Sequence, residues 1–106
     1  MRRLIWLALS LSIAAPLGAA DGIADNRQQE LQNLLAQDCG ACHGLTRRGG
    51  LGPALLPETL HGRSADYLAT IILDGRPGTA MPPWRPMLTP AEAHWIAEQL
   101  LEGAPE

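Results

Sequence analysis

A chain of 106 residues with eight arginines, no lysine, eleven acids and a formal net charge of −3 has the length of one small domain, and its acidic balance speaks against a nucleic-acid partner. It contains no phenylalanine and only 4% aromatic residues, and a domain of this size buries only about 60% of its unfolded surface. A core built from side chains alone is therefore thin, and something else is expected to fill the middle.

The chain opens Met1-Arg2-Arg3, continues through the apolar "LIWLALSLSIAAPL" and reaches Gly18-Ala19-Ala20. A basic start, an apolar run and small residues at its end predict a secretory signal peptide, residues 1–20, cut after Ala20. The apolar run is 14 residues and holds Ser10, Ser12 and Pro16, short of the ~20 that a spanning helix needs, so no stable membrane insertion is expected after cleavage. The product would be one domain, residues 21–106. Its first element is "DNRQQELQNLLAQD", residues 25–38, where Leu31, Leu34 and Leu35 share a helical face and Asp25 and Gln28 are spaced like a capping pair.

That helix leads into Cys39-Gly40-Ala41-Cys42-His43. An exported location suggests a disulfide first, but a loop of two residues removes little chain entropy and makes a poor staple. A thioredoxin-like dithiol needs a strand before it and a helix after it. Here a helix pattern precedes and the loop "GLTRRGGLGP" follows. Zinc needs four ligands, commonly in two paired motifs, and His61 and His94 belong to no second pair. Cys-x-x-Cys-His is also the signature of c-type haem attachment: Cys39 and Cys42 would form thioethers to the haem vinyl groups, and His43 would stand beneath the iron as a ligand.

Further along, Ser64 is placed to cap "ADYLATIILD", which Gly75 would end, with Leu68, Ile71 and Ile72 facing the cofactor. Then comes "DGRPGTAMPPW", residues 74–84. Pro82 and Pro83 keep Met81 out of a helix, and a loop of this kind can present a thioether to the iron, giving His/Met ligation. Met87 follows no Gly-rich turn and reads as core filler; His61 and His94 read as surface residues. In "LTPAEAHWIAEQLLEG", Thr89, Pro90 and Glu92 make a capping box with proline at the first helical position, and Gly103 is the stop. Ala93, Ile96, Ala97 and Leu100 form a stripe suited to the leucines of the first helix. No strand alternation or repeat appears, so the expected fold is all-α: three main helices with long loops wrapped around one covalent haem.

This order of helix, Cys39-x-x-Cys42-His43, Gly52-Pro53, helix, Met81-Pro82 and last helix resembles the class I cytochromes c. More narrowly, "QDCGACHGLTRRGGLGPALLPETL" and "ILDGRPGTAMPPWRPMLTPAEAHWIAEQL" resemble the short periplasmic cytochrome c55X family, which is associated with the haem-d-containing nitrite reductase of denitrifying bacteria. The resemblance implies a periplasmic monomer with one haem c, carrying single electrons to a redox partner such as nitrite reductase. It also implies an electron carrier and not an enzyme, with a role in maturing the reductase's haem as the alternative. It further implies that the Pro53 carbonyl orients His43; Trp84, read from its own chemistry, is suited to cover the haem edge, and its indole N–H, if buried, to meet a partner such as a propionate. In the broad class an aromatic residue of the last helix packs on the first; here Gln99 holds that place, with Trp95 one turn earlier.

Charge is uneven. From His43 to Leu88 there are five arginines (47, 48, 63, 76, 85) and three acids; the flanking parts of the exported domain hold Arg27 against eight acids. If the first and last helices pair behind the cofactor, positive charge is expected near it and negative charge at the rear, an arrangement that steers a partner's approach.

Overall fold

The computed structural model describes residues 10–12 and 22–104. The expected signal peptide and its cut after Ala20 lie outside these residues, but for the three at 10–12. All regular elements among the described residues are helical, and none is long and apolar enough to cross a membrane.

Helix α1 spans Asp25–Leu34 and passes without interruption into a π-helical turn, Leu35–Cys39, and then into a single α-helical turn, α2, Gly40–His43. The helix over 25–38 thus forms, but the Asp25–Gln28 capping pair does not. Ala24 occupies the cap position, with extended backbone (φ −59°, ψ 146°) and no side-chain cap, which leaves Asp25 one residue inside the helix. There its carboxylate still favours the positive end of the helix dipole, while the Gln28 amide donates to the Ile23 carbonyl at 3.0 Å. The wider π turn is a common feature of functional sites, and here it delivers the chain to Cys39.

Helix α3 spans Ala65–Asp74 and is capped as its sequence predicts, Ser64 Oγ accepting from the Tyr67 N–H at 3.1 Å. It stops at Gly75, whose φ is +67°. A Cβ there would lie 2.7 Å from the Met81 carbonyl oxygen and 2.8 Å from the Pro83 nitrogen, so a glycine both permits the turn and lets the Met81 segment fold back over the helix end. Helix α4, Pro90–Glu102, carries the predicted capping box: Thr89 Oγ1 accepts from the Glu92 N–H at 3.1 Å and Glu92 Oε1 accepts from the Thr89 N–H at 2.9 Å.

Helix α4 packs against α3 and also meets α1. Ala93, Ile96, Ala97 and Leu100 are all buried, in one cluster with Leu31, Leu35, Leu68 and Ile72. The small alanines let the helices come close, and each buried Leu or Ile contributes about 1.5–3 kcal/mol. Gln99 and Trp95 are partly buried. Gln99 lines a rear groove with Gln32, Leu35 and Ala36, so a polar side chain does stand where α4 faces the first helix.

An ion pair joins the same two helices at their other end. Arg27 Nε donates to Glu92 Oε2, while the guanidinium also bonds Glu30 at 2.8 Å and the Met87 carbonyl at 3.3 Å. The Arg27 bond, then the Thr89 backbone N–H, hold the Glu92 carboxyl below the usual carboxylate range. A depressed carboxyl stabilises the fold above the unfolded carboxylate pKa and loses that contribution as pH falls through its folded value. Glu92→Gln is therefore expected to cost about 1–3 kcal/mol at pH 7. The gap from the parent should close as pH drops below ~4.3, the free glutamate value. Urea unfolding of holoprotein at a series of pH values measures this; a gap unchanged from pH 7 to pH 3 would contradict it.

Candidate haem site

The site is assembled at the end of α2. The Gly49 N–H donates to the His43 carbonyl and the Gly52 N–H to the Cys42 carbonyl, both at 2.8 Å, and the Leu55 N–H donates to the Arg47 carbonyl at 2.8 Å. These bonds satisfy the helix end and bring the chain back across it, so that the Pro53 carbonyl lies 2.7 Å from His43 Nδ1. A carbonyl can only accept, so Nδ1 carries the proton and Nε2 keeps its lone pair for a metal. Gly52 makes the approach possible: a Cβ there would stand 2.7 Å from His43 Cε1 and 2.8 Å from Nδ1.

Cys39, Cys42 and His43 open on a cavity of about 600 Å³ that Pro53, Met81 and Trp84 also line, a size within the range of cofactor sites. Its apolar walls include Leu68, Ile71 and Ile72 of α3 and Ile96 and Leu100 of α4. The segment bearing Met81 and Trp84 is tied to the end of α3, the Trp84 N–H donating to the Ile72 carbonyl at 3.0 Å and the Arg85 N–H to the Leu73 carbonyl at 3.1 Å. Both cysteines are free. Burial, and secondarily the Asp38 carboxylate, push the Cys39 thiol up to about 11, so in the folded chain it is a neutral thiol at pH 7.

The alternative ligands fall elsewhere. Met87 is 62% exposed and does not line the cavity, nor do His61 and His94. His94 lies on the outer side of α4, 3.0 Å from the Asp66 carboxylate and 3.4 Å from that of Glu98. Among the described residues no three His, Cys, Asp or Glu side chains converge as a metal site.

Charge around the cavity departs from the expected map. Arg63 and Arg76 line it, Arg63 also lying 5.9 Å from the centre of the Tyr67 ring, and Arg48 is exposed. Arg85 is paired with Asp74 at 2.6 Å. Arg47 lies in the rear groove with Gln99 and Glu102, because its left-handed backbone (φ +61°) and the bond from its N–H to the Gly44 carbonyl turn the chain at this point. Asp38, counted with the rear acids, lines the cavity. The positive rim thus consists of fewer residues than the sequence suggests.

The donor set fits a haem: an imidazole with its outer nitrogen fixed and its inner one bare, a thioether from a separate loop, two free thiols and apolar walls around one cavity. An all-α fold enclosing such a site defines a c-type cytochrome, and the family model described as cytochrome C oxidase, cbb3-type, subunit III matches residues 26–99. The chain is 52% identical over 101 residues to cytochrome c55X of Pseudomonas aeruginosa, covering 93% of this chain and 85% of that one. The solved c-type cytochrome NirC superposes with a TM-score of 0.74 at 49% identity, over 76% of this chain and 94% of that chain. The chain belongs to the cytochrome c55X family. It is also 39% identical over 105 residues to a dihydro-heme d1 dehydrogenase of Pseudomonas aeruginosa, covering 97% of this chain but only 20% of that protein.

Proposed function

We propose that this cytochrome is an exported monomer, residues 21–106 after loss of a signal peptide, that carries single electrons in the periplasm to nitrite reductase in denitrification. The observation that carries the reading is the convergence of Cys39, Cys42, His43 and Met81 on one apolar cavity. Cys39 and Cys42 would hold one haem c covalently, and His43 Nε2 and the Met81 thioether would bind its iron. When bound, the haem iron supplies the one-electron couple. The Pro53 carbonyl fixes the His43 ring, the walls from α3 and α4 exclude water, and Trp84 covers one edge. With His43 and Met81 both bound to the iron, no open site would be left there for a substrate, and the reading is of a carrier and not an enzyme.

The likeness to part of a dihydro-heme d1 dehydrogenase favours a second reading, in which the cytochrome serves maturation of the reductase's haem by exchanging electrons with a precursor. Stopped-flow electron exchange with nitrite reductase separates the two. Carriage predicts a fast second-order reaction whose rate falls as added salt shortens the Debye length from ~30 Å at 0.01 M to ~10 Å at 0.1 M. Arg63→Gln and Arg76→Gln should each slow it several-fold at low salt, whereas Arg47→Gln and Glu102→Gln, in the rear groove, should change it little. Negligible exchange at every salt concentration, with the reductase active toward another donor, would shift the assignment to maturation.

A further inference from the structure

The turn that carries Met81 is closed by two backbone bonds and by one hydroxyl. The Thr79 N–H donates to the Arg76 carbonyl at 3.1 Å, and Thr79 Oγ1 donates to the same carbonyl at 2.6 Å. That oxygen in turn accepts from the Met81 N–H at 3.3 Å. The Arg76 N–H reaches the Met81 carbonyl at 3.3 Å. The two contacts to Met81 are long for hydrogen bonds and the hydroxyl contact to Arg76 is short, so the Thr79 hydroxyl adds the shortest bond of the turn and is the one side-chain group that touches both Arg76 and Met81. One arm starts from Gly75, which the Met81 carbonyl crowds, and Thr79 itself lines the cavity. Met81 is thereby held from the side facing α3 by the returning chain and from the turn side by the Arg76 N–H and the hydroxyl of one exposed side chain.

We propose that Thr79 is a positioning residue for Met81: its hydroxyl holds the turn shut, so that the thioether keeps its place against small outside bases such as imidazole. The inference rests on the reading of Met81 as an axial ligand. Without the hydroxyl the turn keeps only its backbone bonds and residues 76–81 gain conformational freedom, and a thioether that spends time away from the iron competes less well. The helices do not depend on this hydroxyl, because Thr79 is exposed, the Arg76 carbonyl keeps its bond from the Thr79 N–H, and water can take up the freed Met81 N–H.

The test is imidazole titration of the ferric holoprotein, followed by absorption. Thr79→Val keeps the side-chain shape and removes both hydroxyl bonds; it should bind imidazole about tenfold more tightly than the parent. Thr79→Ser restores the hydroxyl and should stay within about twofold of the parent. Equal tightening in both variants, or no tightening in Thr79→Val, would overturn the proposal, as would loss of helical circular dichroism in Thr79→Val. Met81→Ala separates the two levels of the argument. If it tightens imidazole binding while Thr79→Val does not, the positioning role falls and the ligand reading stands. If Met81→Ala changes neither spectrum nor affinity, the ligand reading fails and the positioning role fails with it.

Discussion

Replacing both Cys39 and Cys42 by alanine is expected to leave a chain that neither retains haem through acid–acetone extraction nor holds its helices. The dependence follows from the cavity. Left without its occupant, a cavity of about 600 Å³ would expose apolar walls that the folded state needs covered. A domain's whole stability is about 5–15 kcal/mol. The cluster centred on Leu31, Leu35 and Ile96 contains no aromatic residue among its fully buried members, and Ile96 and Leu100 each serve both that cluster and the cavity wall. A haem bound only by the folded state would add its binding energy to stability. Far-UV circular dichroism of the double variant measures the outcome; a native-like helical spectrum would refute the dependence.

The second large effect is expected at Met81. Met81→Ala should abolish the long-wavelength methionine-to-iron absorption of the ferric protein, let the ferrous protein bind CO at neutral pH, and lower the reduction potential. The shift should be on the order of 100 mV, within the roughly 0.8 V that axial ligands command. Met87→Leu should leave all three unchanged, since Met87 is exposed and its carbonyl, not its sulfur, meets Arg27. Loss of the absorption in Met87→Leu with retention in Met81→Ala would reassign the ligand.

The parts of this structure that obey short-range rules could be read from the sequence. Ser64, Thr89 with Glu92, Gly75 and Gly103 act within a few residues of their own positions, and the structure uses each as its local pattern predicts. That Cys39, Cys42, His43 and Met81 share one cavity was legible for a different reason: few residue types suit the covalent, iron-holding site proposed above, and their order along the chain restricts it further. Partners set by tertiary packing could not be read. Arg27 and Glu92 stand 65 positions apart, and no local pattern links them. Asp25 failed as a cap because the helix begins one residue before a cap at that position could act. Arg47 was assigned to the cavity side because charge counting along a chain ignores backbone handedness, and one left-handed residue sends its side chain to the rear.

The clasp between α1 and α4 also bears on the order of events in biosynthesis. A chain emerges N-terminus first, so Cys39 and Cys42 appear well before Ile96 and Leu100, which wall the cavity. Until Glu92 arrives to meet Arg27, the last helix has no anchor on the first, and the two cysteines lie in open chain. Burial is the main cause that lifts the Cys39 thiol in the closed fold, to about 11, and in open chain that cause is absent. The open segment is thus the more accessible form for the thioether formation proposed above, and packing of α4 over the site would follow it.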